Sequence, residues 1–220
     1  MALSNSQVTR LGDRLRGSSI TNDDLALLDK FRQTFSEVDE KAYAIIQKVL
    51  ENTSDWTATK RKRKTQQSIV DKLCRLPQLR LPQMQDIAGC RIVLKSGTKQ
   101  ASELNNFLIT AFTQQDWQVE GKERDNDGYR AIHIIAKLGK QFYEIQLRTY
   151  AQDIWANLVE TMSDEKNTLK YGGNEQEQTI MNKLKQLSES FVTIDSEAHN
   201  HSIEQYQQRI EAAIRHVLSD

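Results

Sequence analysis

The run Tyr143-Glu144-Ile145-Gln146-Leu147-Arg148-Thr149 alternates apolar and polar side chains with a period of two. That period belongs to an extended strand, in which successive side chains point to opposite faces. Tyr143, Ile145 and Leu147 therefore share a face that can pack on a core, and the chain must build a sheet covered on at least that side. Glu144, Gln146 and Arg148 share the other face, which must look into solvent or into a cleft. A carboxylate, an amide and a guanidinium in one row suit a site that handles a metal and phosphates. The same row also describes an antiparallel strand with one wet face, so the neighbouring segments have to decide.

Upstream, Gly128-Tyr129-Arg130-Ala131-Ile132-His133 reads as the preceding strand, joined to the first through a turn near Gly139-Lys140. Alternation puts Tyr129, Ala131 and His133 on one face, so an aromatic ring and an imidazole sit together where a base can stack and a phosphate can be contacted. Earlier still, Gln85-Asp86-Ile87-Ala88-Gly89-Cys90-Arg91-Ile92-Val93-Leu94 leads into a strand, with Asp86 before it and Arg91 alternating against Ile92 and Leu94. Before that lies the basic run Lys60-Arg61-Lys62-Arg63-Lys64, followed by Thr65, Ser68, Ile69 and Lys72. Two separated carboxylates, Asp86 and Glu144, among many cations describe a magnesium-dependent phosphoryl or pyrophosphoryl transfer site.

The ordered blocks Lys-x-x-x-Ser-Ile-x-x-Lys, Asp-Ile-Ala-Gly-x-Arg-Ile, Gly-Tyr-Arg-x-Ile-His and Glu-Ile-Gln-Leu-Arg-Thr resemble the RelA/SpoT-type alarmone synthetases, from about residue 59 to about residue 170. The resemblance implies an α+β fold, a nucleotidyltransferase-like mixed β-sheet flanked by helices. It implies transfer of pyrophosphate from ATP to a ribose 3′-hydroxyl, with Mg2+ as cofactor. By the same resemblance Asp86 and Glu144 bind the metal, and Glu144 also takes the proton of the attacking hydroxyl. Lys62, Lys64, Ser68, Lys72 and Arg91 fall at the ATP-binding positions. Tyr129, which would stack on the acceptor base, His133, Gln146, Arg148 and Asp127 fall on the acceptor side.

Three departures bear on the acceptor. Lys62 stands where the family usually has an Arg that stacks on adenine, and an ammonium is no planar guanidinium. Arg61 and Arg63 would face the wrong way on an ideal strand. Arg124-Asp125-Asn126-Asp127 stands where guanine-type synthetases often carry Pro-Lys-x-Asn. The segment from Gln152 to Glu160 is similar to that of the toxic small synthetases, some of which pyrophosphorylate the tRNA 3′ end. The acceptor is thus GDP or GTP, giving guanosine tetra- or pentaphosphate, or alternatively an adenine nucleotide or the tRNA 3′ end in a toxin paired with an antitoxin. A non-catalytic nucleotide- or RNA-binding module is the third reading, and the presence of both metal carboxylates speaks against it. No His-Asp dipeptide occurs, so the hydrolase domain of longer relatives is not expected.

Net charge is zero, yet residues 60–80 hold eight Lys or Arg against one acid, Asp71, while residues 150–220 hold six against twelve. A basic pole beside an acidic half fits an anionic substrate at one end of the molecule. The pattern asks for neither DNA nor a membrane, since no apolar stretch approaches spanning length. Cys74 and Cys90 have neither metal-ligand spacing nor a pairing pattern, as in a reduced, cytoplasmic protein.

The rest reads as scaffold. Leu25, Leu28, Phe31, Phe35, Val38, Ile45, Ile46 and Val49 recur at helical spacing, predicting one helix or a pair over about 22–52 with Asn22 or Thr21 as N-cap. Helices are also expected over 65–75, 99–113 and 150–168, with Trp155 in the core and Gly172-Gly173 closing that region. Ile180, Leu184, Leu187 and Phe191 form one further stripe, and Ile203, Tyr206, Ile210, Ile214 and Val217 another. His199-Asn200-His201 lies between them as a loop. The expected division is a helical extension over 1–55, the synthetase core over 56–172, and a helical pair over 173–220. That pair would pack on the core or, alternatively, form a homo-oligomer or antitoxin interface.

Overall fold

The computed structural model describes residues 3–51, 53, 55–163 and 174–218. Among them five strands make one mixed sheet: β1 (Trp56–Lys60), β2 (Gly89–Leu94), β3 (Gln118–Asn126), β4 (Tyr129–Leu138) and β5 (Gln141–Thr149), in the order β1-β2-β5-β4-β3. β2 and β5 pair in parallel, Gly89 opposite Glu144 and Arg91 opposite Gln146, and the other pairs are antiparallel. The nucleotidyltransferase-like α+β arrangement read from the sequence is the one observed.

Helices α1 (Asn5–Leu15), α2 (Asn22–Gln33), α3 (Ser36–Leu50), α4 (Gln66–Arg75) and α5 (Thr98–Thr113) cover one face of the sheet. Cys90, Ile92, Leu94, Tyr143, Ile145 and Leu147 meet Leu28, Ile46, Ile69 and Leu108 there in one apolar cluster. Full burial of each such side chain contributes about 1.5–3 kcal/mol, which fixes the strand register and so the direction of every polar partner. The N-terminal helices share this core with the sheet. They also tie down the basic segment: Arg32 Nε donates to the Lys64 carbonyl at 2.8 Å and Gln66 Nε2 to that of Leu25 at 2.8 Å.

On the other face lie α6 (Tyr150–Met162), α7 (Glu175–Glu197) and α8 (Ile203–Leu218), around a second cluster built on Trp155, Leu184, Leu187, Phe191, Tyr206 and Ile210. The C-terminal pair thus packs on α6, and Trp155, 3% exposed, is core as expected. Thr149 caps α6 by accepting from the Gln152 amide at 3.1 Å. The end of the expected helix over 150–168 and the Gly172-Gly173 pair lie outside the described residues.

Two elements were not read from the sequence. α1 follows a Ser4–Gln7 capping box and buries Val8, Leu11 and Leu15, a short stripe at helical spacing that the sequence reading passed over. β3, with Glu120, Lys122, Glu123, Arg124 and Asp125, is an edge strand exposed along nearly its whole length. It exists because β4 offers it a ladder, and its charges discourage further pairing at the open edge.

Candidate active site

The site occupies the polar face of β5 and β4, between the sheet and α6, and extends to the basic segment before α4. Glu144, 7% exposed, stands at its centre. Its Oε2 accepts from Arg61 Nη1 at 2.9 Å and from Gln146 Nε2 at 3.1 Å, and its Oε1 lies 3.0 Å from His133 Nδ1. Burial alone would raise the Glu144 pKa, and the proximity of Asp86 raises it too. The His133 hydrogen bond and the Arg61 charge outweigh both and hold it below the ordinary value.

The orientation of Glu144 depends on an absent side chain. Gly89 pairs with it, and a Cβ there would fall 2.2 Å from the Glu144 carbonyl oxygen. Only glycine lets β2 lie this close to β5 at that point. Arg61, whose amide donates to the Gly89 carbonyl at 3.0 Å, reaches Glu144 across the bare position.

Asp86 precedes β2 and accepts from Lys72 Nζ at 2.8 Å and Lys64 Nζ at 3.1 Å through Oδ2. Burial pushes its pKa up, and the two ammonium groups more than reverse that shift. Its Oδ1 is buried with no hydrogen-bond partner among the described residues. An unpaired carboxylate oxygen, with a second carboxylate near enough to sense its charge, fits a magnesium ion that takes one or two carboxylates and completes its shell from substrate phosphates. No cluster of three or more His, Cys, Asp or Glu with metal-binding geometry occurs among the described residues, so the protein alone would not enclose the ion.

From Glu144 a hydrogen-bonded chain runs outward. His133 Nε2 lies 2.7 Å from the Tyr129 hydroxyl, which accepts from Arg148 Nη2 at 3.3 Å; Arg148 Nη2 also donates to Gln146 Oε1 at 3.2 Å. Donation from His133 Nδ1–H to Glu144 leaves Nε2 to accept from the tyrosine. Arg148 sits 5.3 Å from the Tyr129 ring centroid and covers one side of it.

Lys64, Lys72, Asp86, Arg91, His133, Glu144, Gln146 and Arg148 are thus brought together as the sequence suggested. Ser68 lies in the first turn of α4 beside Thr65, whose hydroxyl is 2.9 Å away. Lys62 is exposed. Asp127 is at the tip of the β3–β4 turn, paired with Lys185 Nζ at 2.9 Å. A cavity of about 230 Å³ lies alongside, lined by Asp127, Tyr129, Arg148, Trp155 and Met181 among others.

Two participants escape the sequence reading. Arg61 is expected to face away by strand alternation, yet β1 ends at Lys60, so alternation no longer governs it. Arg63 is the one that turns aside, donating to the Arg32 carbonyl at 3.2 Å and Ser36 Oγ at 2.8 Å. Asp153 on α6 holds Arg148 at 3.0 Å and Arg91 at 3.3 Å through one oxygen, allowing two guanidiniums to converge. Its position four residues beyond Thr149 on a capped helix was the available signal.

A nucleotidyltransferase-like sheet with two carboxylates facing a row of cations defines a class of phosphate-handling domain, and the family can now be stated. Residues 60–168 match the family model described as a region found in RelA / SpoT proteins, so the chain carries a RelA/SpoT region there. Uncharacterized proteins of Mycobacterium bovis and Mycobacterium tuberculosis are 35% identical over 105 residues, 46% of this chain. That segment is 37% of their own length, so the chain matches little more than a third of these relatives. The small alarmone synthetase 1 of Bacillus subtilis bound to its product pppGpp superposes with a TM-score of 0.55 at 26% identity, over 77% of this chain and 91% of that one. A second structure of the Bacillus subtilis small alarmone synthetase 1 gives 0.58 at 22% identity over 85% and 97%, a likeness of fold.

Proposed function

We propose that the chain is a magnesium-dependent pyrophosphokinase that moves the β,γ-pyrophosphate of ATP to the ribose 3′-hydroxyl of GDP or GTP, making guanosine tetra- or pentaphosphate. The observation that carries this reading is Glu144 buried, ionised and bonded to Arg61, His133 and Gln146, next to an Asp86 whose Oδ1 is unpaired. In the reaction the 3′-oxygen forms a bond to the β-phosphorus, the bond between that phosphorus and the α,β-bridging oxygen breaks, and AMP leaves with that oxygen. Glu144 takes the hydroxyl proton, which its depressed pKa permits throughout the neutral range. Asp86 and Glu144 would hold magnesium, which supplies charge neutralisation at the phosphate oxygens when bound. Lys64, Lys72, Arg91 and Ser68 bind and orient the triphosphate, and positioning with charge neutralisation supplies most of the acceleration in such transfers.

Asp86 and Glu144 are tied up by the same cations that would bind phosphate. When nucleotide binds, Lys64, Lys72 and Arg61 would exchange these carboxylates for phosphate oxygens, leaving Asp86 and Glu144 available to hold magnesium. On the acceptor side, Tyr129 and His133 with Gln146 and Arg148 receive base, ribose and phosphates. Asp127 and Asn126 line that cavity with hydrogen-bond acceptors, which complement the N–H donors on the Watson–Crick edge of guanine. The Bacillus subtilis relative, with its guanine product, supports the same choice. In this reading residues 56–172 are the catalytic core and 1–55 and 173–220 its helical extensions, and the reaction is a cytoplasmic one, a reading that the free thiols of Cys74 and Cys90 support.

The test offers ATP labelled at the γ-phosphate, with magnesium, to GDP, GTP, AMP, ADP and deacylated tRNA separately. Label in guanosine tetra- or pentaphosphate supports the reading. Label only in tRNA or in adenosine products replaces the acceptor, and no transfer despite ATP binding reduces the chain to a binding module.

A further inference from the structure

We propose that α7, which lies beyond the RelA/SpoT match, is a working wall of the acceptor site, and that Lys185 and Ser188 are positioning residues which hold the turn carrying Tyr129. The inference rests on the pyrophosphokinase reading above and extends it to a segment outside the shared domain.

Strand β3 ends at Asn126 and β4 begins at Tyr129, so Asp127 and Gly128 make a two-residue turn with φ of 53° and 89°. Positive φ at both central positions is the geometry of a tight hairpin whose twist matches its strands. Such a turn sets the direction in which the next residue, Tyr129, enters the sheet. One face of α7 presents Met181, Leu184, Lys185 and Ser188, spaced at helical intervals; Met181 lines the cavity beside the turn, and Lys185 and Ser188 reach the turn itself. Lys185 Nζ pairs with Asp127 Oδ1 at 2.9 Å. Ser188 Oγ donates to the Gly128 carbonyl at 2.5 Å and accepts from the Arg130 guanidinium, so the turn is gripped on both sides of Tyr129. The Leu184 carbonyl accepts from Trp155 Nε1 at 2.6 Å. A Cβ on Gly128 would fall 2.8 Å from the Trp155 ring and 3.4 Å from Lys185 Cα, so the turn is wedged between α6 and α7.

Met181 completes the enclosure by lining the cavity with Tyr129, Arg148 and Asp127. Ser188 is 3% exposed, so its hydroxyl has no water to replace these partners. Removing it would take the hydroxyl donor from the Gly128 carbonyl, leave the Arg130 guanidinium with Asp125 alone, and release the turn. On the donor side, Lys64 and Lys72 pair with Asp86 instead. The consequence is selective: loosening α7 weakens acceptor binding and spares ATP. A RelA/SpoT domain joined to a different C-terminal segment would accordingly hold its acceptor differently.

The experiment measures separate KM values for ATP and GDP in the full chain, with Ser188→Ala, Lys185→Met and Lys185→Arg, together with hydrogen exchange of the amides of residues 127–130. Ser188→Ala is expected to raise the KM for GDP about tenfold, with the ATP value changed less than twofold and faster exchange at the turn. Lys185→Met, an exposed change compatible with folding, is expected to raise the GDP value severalfold, and Lys185→Arg to restore it. Unchanged GDP values, equal rises for both substrates, or an undisturbed turn would overturn the inference while leaving the activity intact. A wild-type chain that labels no acceptor would instead overturn the activity reading and the inference together.

Discussion

Glu144 has two tasks that pull against each other, binding metal and accepting a proton, and its surroundings reconcile them. Burial penalises the charge, but His133 and Arg61 return enough stabilisation to keep the carboxylate ionised. Glu144→Gln keeps the shape and removes both capacities, so product formation should fall at least about 10³-fold. A thermal melt within a few degrees of wild type would show the fold retained, and near wild-type turnover would refute the assignment. Arg61→Gln tests the depressed pKa. Its charge favours the ionised form, so removing it lifts the Glu144 pKa. The acidic limb of the pH–rate profile should then lie higher in the variant than in wild type. A limb that stays in place would mean that another group controls it.

At the scale of elements, the join between α7 and the catalytic strand passes through Asp195. This carboxylate, 3% exposed, accepts from Thr149 Oγ1 at 2.7 Å and from the Tyr206 hydroxyl at 2.5 Å, linking the α6 cap to α7 and α8. Burial raises its pKa to about 6, against a partial offset from Tyr206, Thr149 and the charge of Arg130. A folded-state pKa above the unfolded value means that the folded chain binds the proton more tightly. The associated stability is fully present below about pH 4 and is lost as pH rises through 6, an effect on the order of 3 kcal/mol. Asp195→Asn removes this dependence. The melting temperature of the variant minus that of wild type should rise between pH 4 and pH 7, and a difference independent of pH would exclude the ionised buried carboxylate.

At the scale of the whole molecule, the basic segment stands at one side of the site, while the C-terminal half is acidic. Attraction of a polyanionic nucleotide to that segment is screened as the Debye length shortens from about 10 Å at 0.1 M salt to about 3 Å at 1 M. The KM for ATP should accordingly rise severalfold over that range, with kcat changing less. A KM that ignores salt would assign the segment a structural role only. Much of this organisation was legible in the chain itself. Period-two alternation identified β4 and β5 and their site faces, helical spacing identified most of the helices, and the order of the motif blocks identified the domain. These are local properties, set by where side chains point along a strand or helix. The sequence alone did not reveal β3, which has no apolar face and owes its form to β4, nor the reach of Arg61 past Gly89, nor the bridge made by Asp153. It also left open what the C-terminal helices cover. Those features depend on strand register and on helix packing across the sheet, where residues far apart in the chain meet, and burial of the two apolar clusters decides such meetings.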